Sequence, residues 1–448
     1  MLTFRFGRAG RFIPLITAAA FILIAALNES DVSGYTLAFF LSIIIGSIVS
    51  SDRKAFGKAA LGGLCNPMFG TVSIAIILAS IAGKLVSGSG MIDALAAILL
   101  HLDVSSGLFV SLSFLLCCVI SMSTGTSVGT YIIAIPVFFP IGLELGADPL
   151  VMIGAIASGG LFGDNLAPIS DTTIASATTQ HAEMSDVVRT RCRYSIPVAL
   201  LCFIAFILLG SKGSVQHEAV AMVNNPLSLA MLLVPASVIF LCLRKVDLIA
   251  SLSIGIAIGS IAGPILGIFS FSDLISYPGG FSVSGLYIDA INGSSSTVFM
   301  LIGAFMFLGI LDEAEIIKEI GRGLSFLARG RRSAELSIML AIGIGGALTG
   351  VCTVSMVALG PVVHSIGEKM GIRNERCANL MDCGGLSLTA VAPWTVHAVL
   401  PASLAMIAVP SAVIAPMDVV LHNLYPLFMM PLMLFTIAFG GKENMKNS

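Results

Sequence analysis

Charge is scarce in this chain of 448 residues. Only 11% of its residues are Asp, Glu, Lys or Arg, against about 25% in soluble domains, which excludes a soluble globular protein. The formal net charge is −2 with no basic tail, which argues against nucleic acid as a partner. No Gly-rich phosphate loop, metal-ligand cluster or nucleophilic triad is visible, so neither an enzyme nor an ATP-driven pump is indicated. The nine cysteines are scattered and the segments read as external hold none, so no disulfide framework is implied.

What the chain has is apolar length. It is 56% hydrophobic with a mean hydropathy of +1.00, and stretches such as 71–82, 195–209 and 427–439 are apolar almost all round. Several approach the roughly 20 residues of a membrane crossing. The expected fold is an all-α polytopic membrane protein embedded in a lipid bilayer. Ten crossings are read at 12–28, 34–50, 67–86, 149–181, 194–210, 226–243, 247–269, 296–311, 374–406 and 424–440. Segments 105–146 and 333–371 are each broken in the middle, at Ser123–Thr130 and Leu348–Ser355, and read as re-entrant hairpins; two full crossings each is the alternative. Short surface helices are expected at 91–101 and 314–328, and a polar external loop at 270–295. The N-terminus, three Arg followed by Ile13–Leu27, has signal-peptide character, but its removal would leave the first half one element short.

Basic residues set the orientation. With the N- and C-termini inside, clusters at 5–11, 53–58, 189–193, 244–245, 318–332, 369–376 and 442–446 are cytoplasmic, and only Lys84 and Lys212 lie outside. Such asymmetry supports both the orientation and the number of crossings.

The chain also repeats itself. Residues 124–173 laid on 349–398 coincide at twelve positions. Among them are Thr124/Thr349, Gly125/Gly350, Pro136/Pro361, Gly146/Gly371 and Pro168/Pro393, mostly residues that dictate backbone path. Five crossings separate equivalent elements, an odd number, so two inverted repeats are expected. Matched interruptions in two halves point to a central binding site. The first repeat is 1–211, with scaffold helices in 12–86 and a transport unit at 105–181. Scaffold helices and the external loop of the second repeat fill 212–295. The rest, 296–448, carries the second transport unit at 333–406.

Polarity concentrates at Gly163-Asp164-Asn165-Leu166-Ala167-Pro168-Ile169-Ser170-Asp171-Thr172-Thr173. Pro168 cannot donate to the carbonyl of residue 164, so an unwound stretch is expected. Freed carbonyls, the carboxylates of Asp164 and Asp171, and the hydroxyls of Ser170, Thr172 and Thr173 are hard oxygen donors. Intramembrane acids are functional by default; capping of a helix by Asp171 is the plain alternative. The first hairpin tip adds Thr124, Gly125, Thr126 and Ser127, whose hydroxyls and helix ends suit a small ion; simple satisfaction of a tight turn is the alternative. The second half replaces Asp164 and Asp171 by Thr389 and Val396. It offers Thr349, Cys352, Thr353, Asp382, Trp394, Thr395 and His397 toward a solute, with Trp394 as an aromatic wall or a packing residue. No intramembrane Lys or Arg is expected to pair an anionic solute.

The run G-D-x-L-x-P-x-S-D-T-T at 163–173 resembles the signature of the NhaC-type sodium/proton antiporters of the broad ion-transporter superfamily. The match is dense over about a dozen residues, and the paired hairpins and broken helices extend the likeness over most of the chain. The resemblance implies a multi-pass protein of the bacterial inner membrane, a homodimer with an elevator-like movement, and Na⁺ and H⁺ as coupling ions without a further cofactor. It makes Asp164, Asn165, Ser170, Asp171, Thr172 and Thr173 candidates for the ion site, with Na⁺ at Asp164 and Asp171. The second break departs from that pattern in reading Ala392-Pro393-Trp394-Thr395-Val396-His397. Two functions follow. The favoured one is a cation/proton antiporter in which an aspartate binds either Na⁺ or H⁺; the other is a Na⁺- or H⁺-coupled carrier of an amino acid or small carboxylate.

Overall fold

A computed structural model describes residues 2–28, 30–210, 226–325 and 328–440. Lys212, Lys442 and Lys446 of the charge argument lie outside the described residues. The first scaffold helices are α1 (Ile13–Leu27), α2 (Val32–Val49), α3 (Arg53–Leu64) and α4 (Pro67–Gly88). Then come α5 (Met91–His101), the hairpin α6 (Ser106–Thr124) and α7 (Ser127–Glu144), the broken pair α8 (Pro149–Leu166) and α9 (Asp171–Thr179), and α10 (Met184–Gly210). The amphipathic α3 was not foreseen. Its N-cap Asp52 accepts from the Ala55 amide at 2.9 Å, and its Gly63 lies against the backbone of residues 305 and 309.

The second half carries α11 (Leu233–Leu243), α12 (Leu248–Ile265) and the antiparallel strands β1 (Ser276–Gly279) and β2 (Ser282–Ser284). After them run α13 (Leu286–Glu313), α14 (Ile316–Ser325) and the hairpin α15 (Arg331–Thr349) and α16 (Cys352–Lys369). Next are α17 (Asn374–Asn379), a π-helical turn (Leu380–Leu386), α18 (Ser387–Ala390), α19 (Val396–Ala408), α20 (Pro416–His422) and α21 (Leu424–Phe439). The small β-hairpin corrects the all-helical expectation. The loop expected at 270–295 ends at Gly285, because the Ser-rich run that follows is the start of α13. There Ser294 returns its hydroxyl to the Ile291 carbonyl at 2.9 Å, which lets a polar residue sit buried within a helix.

The 225-residue offset governs the elements themselves. Helices α5, α6, α7, α8 and α9 begin at 91, 106, 127, 149 and 171; α14, α15, α16, α17 and α19 begin at 316, 331, 352, 374 and 396. Each pair differs by 225. Left-handed backbone recurs at the same offset, at Gly90 and Glu315, Gly125 and Gly350, and Gly146 and Gly371. The hairpin arms hold 19 and 18 residues in both halves. At 1.5 Å per residue that is about 27–29 Å, close to the roughly 30 Å bilayer core. Each arm therefore has the length of a full crossing, but only the arms of the first hairpin are also among the described helices apolar enough for one, so two crossings are favoured there and length alone speaks for them in the second. Among the described residues eight helices are long and apolar enough to span a membrane, or nine if the bent pair α20–α21 is counted as one.

At the centre lies α8, buried from Val151 to Leu166. Its small residues permit that position. Gly163 lies against Ser121 and the α6 backbone, where any side chain would collide, and the Ser121 hydroxyl donates to the Gly160 carbonyl at 2.6 Å. Close backbone approach of this kind is how apolar helices pack without a hydrophobic drive.

Candidate functional site

The first break is narrower than the sequence suggests. Asp164 and Asn165 belong to the last turn of α8, and only Ala167–Ser170 leaves the helix. The last regular bond of α8 runs from the Ala167 amide to the Gly163 carbonyl at 2.8 Å, after which Pro168 has no amide hydrogen to continue the ladder. The chain then turns, and Ser170 starts α9. This places the Asp164 side chain between the break and the first hairpin tip.

Asp164 is 4% exposed. One carboxylate oxygen accepts from the Ser127 hydroxyl at 2.7 Å and the Ser127 amide at 3.2 Å. The other accepts from the Ser170 hydroxyl, which in turn lies 2.9 Å from the Thr172 hydroxyl. The amide belongs to the first turn of α7, so the positive end of that helix faces the carboxylate. The tip itself is set by Gly125, left-handed at φ 73° and packed on Ile169 of the break. Thr126 caps α7 by accepting from the Gly129 amide at 3.4 Å.

Asp171 behaves differently. It is exposed, accepts from the Thr172 amide at 3.0 Å, and accepts from the Thr353 hydroxyl of the second tip at 2.7 Å. The two aspartates thus reach opposite hairpins, Asp164 toward its own half and Asp171 toward the other. At the second break, the Val396 amide donates to the Gly350 carbonyl of the second tip at 3.4 Å.

An arginine was missed. Arg191, placed in a cytoplasmic segment by its charge, is fully buried and pairs with Asp382 at 2.6 Å. The expectation of no buried cation near the site is therefore corrected. The guanidinium also donates to the Asn165 carbonyl at 2.5 Å, the Thr173 hydroxyl at 2.7 Å and the Asn379 side-chain oxygen at 3.0 Å. The carbonyl freed by the break, expected as an ion ligand, is thus taken. The signal was present: Val187, Arg191, Ser195, Val198 and Cys202 form one buried stripe on α10, from which Arg189 and Arg193 point away. Asp382, proposed for solute binding, is held by this pair, in the π-helical turn that swings it toward α10. A second buried pair, Arg376 with Glu335 at 2.6 Å, lies outside the site.

The remaining candidates sort by their partners. Asn165 donates to the Tyr425 hydroxyl at 3.1 Å and so braces α8 on α21. Thr173 donates to Asp382 at 3.3 Å. Thr349 donates to the Val351 carbonyl at 2.7 Å and Thr395 to the Ala392 carbonyl at 2.9 Å, so both hydroxyls serve local turns. Cys352 and Thr389, the equivalents of Ser127 and Asp164, both lie against Gly346; the second half repeats the geometry without the charge. Trp394 donates its indole N–H to the Ala347 carbonyl at 2.6 Å and packs against the scaffold cluster of α1, α2 and α13, a packing role. His397 is buried with its ring edge-on to Tyr131 at 6.4 Å. Thr124 lines a cavity of about 320 Å³ beside the first tip with Thr126, Ile169, Lys245 and Asp247.

No group of three or more His, Cys, Asp or Glu among the described residues is placed to hold a metal ion. The donor set at Asp164, one carboxylate with the Ser127 and Ser170 hydroxyls and Thr172 behind Ser170, suits a transported Na⁺ or H⁺ as substrate. Each hydroxyl has one proton and two lone pairs, so Ser127 and Ser170 can donate to a bare carboxylate or turn oxygen toward a cation.

Comparison with known proteins places this geometry in context. The Na⁺/H⁺ antiporter family model matches residues 3–211. The chain is 22% identical over 377 residues to a malate-2H⁺/Na⁺-lactate antiporter of Bacillus subtilis, covering 80% of each protein. It is 25% identical over 312 residues to the Na⁺/H⁺ antiporter NhaC of Alkalihalophilus pseudofirmus, covering 63% of this chain and 65% of that one. The NhaC of Bacillus subtilis is 22% identical over 391 residues, covering 81% and 85%.

Proposed function

We propose that this chain is a secondary active antiporter of the Na⁺/H⁺ antiporter family, whose model matches residues 3–211, and that it exchanges Na⁺ for H⁺ at Asp164. One observation carries the reading. Among the described residues three carboxylates are buried, Asp164, Glu335 and Asp382. Glu335 and Asp382 each have an arginine. Asp164 has only hydroxyls and an amide. A buried charge without a fixed counter-charge is costly, so its neutralisation falls to a mobile cation or a proton, and the two exclude each other. Exposed Asp171 at the mouth raises the local cation concentration. The protein works in the bacterial cytoplasmic membrane as a homodimer, the hairpin-and-break unit moving against the scaffold helices with both termini cytoplasmic.

A coupled carrier of a small carboxylate is the second reading. It is favoured by the cavity beside the first tip, larger than a bare ion needs and bearing Lys245. Proteoliposomes containing a pH dye, driven by a Na⁺ gradient, test the choice. Proton movement with Na⁺ alone, lost in Asp164→Asn, is the expected result. Proton movement only when labelled malate or lactate is added would turn the assignment to the carrier, and exchange at wild-type rate in Asp164→Asn would remove the site.

A further inference from the structure

A second cavity, about 320 Å³, has neither Asp164 nor its hydrogen-bond partners in its wall and carries charges of both signs. Lys84 of α4 and Asp289 of α13 line it, with Asp31 at the start of α2. The cavity near the second hairpin tip instead touches Pro67, Gly309 and Val354. Pro67 and Lys84 sit at opposite ends of α4, about 25 Å apart along the axis, so the two cavities occupy opposite ends of the same helix pair. Ser403 and Ile407 close the charged cavity from α19, whose other end carries His397 beside Tyr131. One helix of 13 residues therefore joins this cavity to the neighbourhood of the first hairpin.

Three features suit a ligand with two charges. Lys84 makes no ion pair within 4.0 Å among the described residues, although Asp31 and Asp289 line the same space. Charges that share a cavity but do not meet leave a gap for a bridging molecule. Thr297, 1% exposed, belongs to the cavity wall, and its buried hydroxyl has no hydrogen-bond partner. A helical threonine ordinarily returns that hydroxyl to its own helix, as Thr17 and Thr36 do here. The volume lies at the lower end of the roughly 300–1,000 Å³ of small-molecule sites.

We propose that this cavity binds a small zwitterion of the amino-acid class, its ammonium group toward Asp31 and Asp289 and its carboxylate toward Lys84 and the Thr297 hydroxyl. A single inorganic ion uses only one of these poles. The site is separate from Asp164 and does not depend on the exchange reading.

Equilibrium binding to the full chain in lipid nanodiscs tests it, with labelled glycine, L-alanine and L-serine as probes and acetate and ethylammonium as single-charge controls. Saturable binding of at least one amino acid is expected, weakened tenfold or more in Lys84→Met and in Asp289→Asn. Thr297→Val should weaken it less, Lys84→Arg should keep it and so report on folding, and Asp164→Asn should bind as wild type. No saturable binding of any of the three, or unchanged binding in Lys84→Met, would overturn the proposal. So would acetate or ethylammonium binding as tightly as the amino acids, since that describes a site for one charge. Loss of amino-acid binding in Asp164→Asn would move the solute to the ion site and overturn it as well.

Discussion

The three buried acids among the described residues have unlike partners, and their mutations should differ accordingly. Na⁺ and H⁺ competing for Asp164 make a signed prediction. Raising external Na⁺ requires more protons for displacement, so the acid limb of the transport–pH profile should move to lower pH as Na⁺ rises. A profile whose acid limb ignores Na⁺ would mean that the two ions do not share the carboxylate. Arg191 makes a second. Arg191→Met strands Asp382 without a counter-charge, a loss of about 3–5 kcal/mol for a broken buried pair, read as a lowered thermal midpoint in detergent. Arg191→Lys should not restore it, because one ammonium cannot reach the Asn165 carbonyl, Thr173, Asn379 and Asp382 at once. Replacing both partners, Arg191→Met with Asp382→Leu, should recover part of the loss.

At the scale of the element, the two hairpin tips are copies in backbone and unequal in surroundings. Gly125 and Gly350 both close their first arms at φ 73°. An added Cβ at Gly125 would meet Ile169, its backbone included, at 2.8–3.1 Å, whereas at Gly350 it would meet nothing within 4 Å. Gly350→Ala should therefore cost only the left-handed strain of about 1–2 kcal/mol. Gly125→Ala should cost more and, by pushing the tip off the break, part Ser127 from Asp164 and slow exchange. Thermal midpoints and exchange rates of the two variants measured side by side check this, and equal effects would mean that the tip does not seat against the break as described.

At the scale of the whole molecule, the matched element starts say that the halves repeat, and the distribution of basic residues predicts which way each faces. Cys65 is the one exposed cysteine among the nine, so Cys65→Ser provides a background for labelling. In it, Ser284→Cys at the β-hairpin and Ser333→Cys at the start of α15 should react with impermeant reagents from opposite sides of intact cells. Reaction from the same side would leave the halves repeated but not inverted.

Most of the helices were legible in the sequence; α3 and the β-hairpin were not. Apolar runs marked the spans, and Gly and Pro at a fixed offset marked where both halves turn, because these residues act through local backbone sterics that need no partner. Asp164, Ser127 and Ser170 were legible for the same reason, as polar residues in an apolar run with nothing nearby to excuse them. Which charges pair was settled by packing. Arg191 and Asp382 are 191 positions apart in sequence and touch because α10 packs against the π-helical turn, and that contact removes Asp382 from the candidate ion site while leaving Asp164 without an arginine. Charge counted along the chain cannot separate a cytoplasmic arginine from a buried one. Spacing puts Val187, Arg191, Ser195, Val198 and Cys202 on one face of α10, but whether that face is buried is a property of the neighbours that packing brings together.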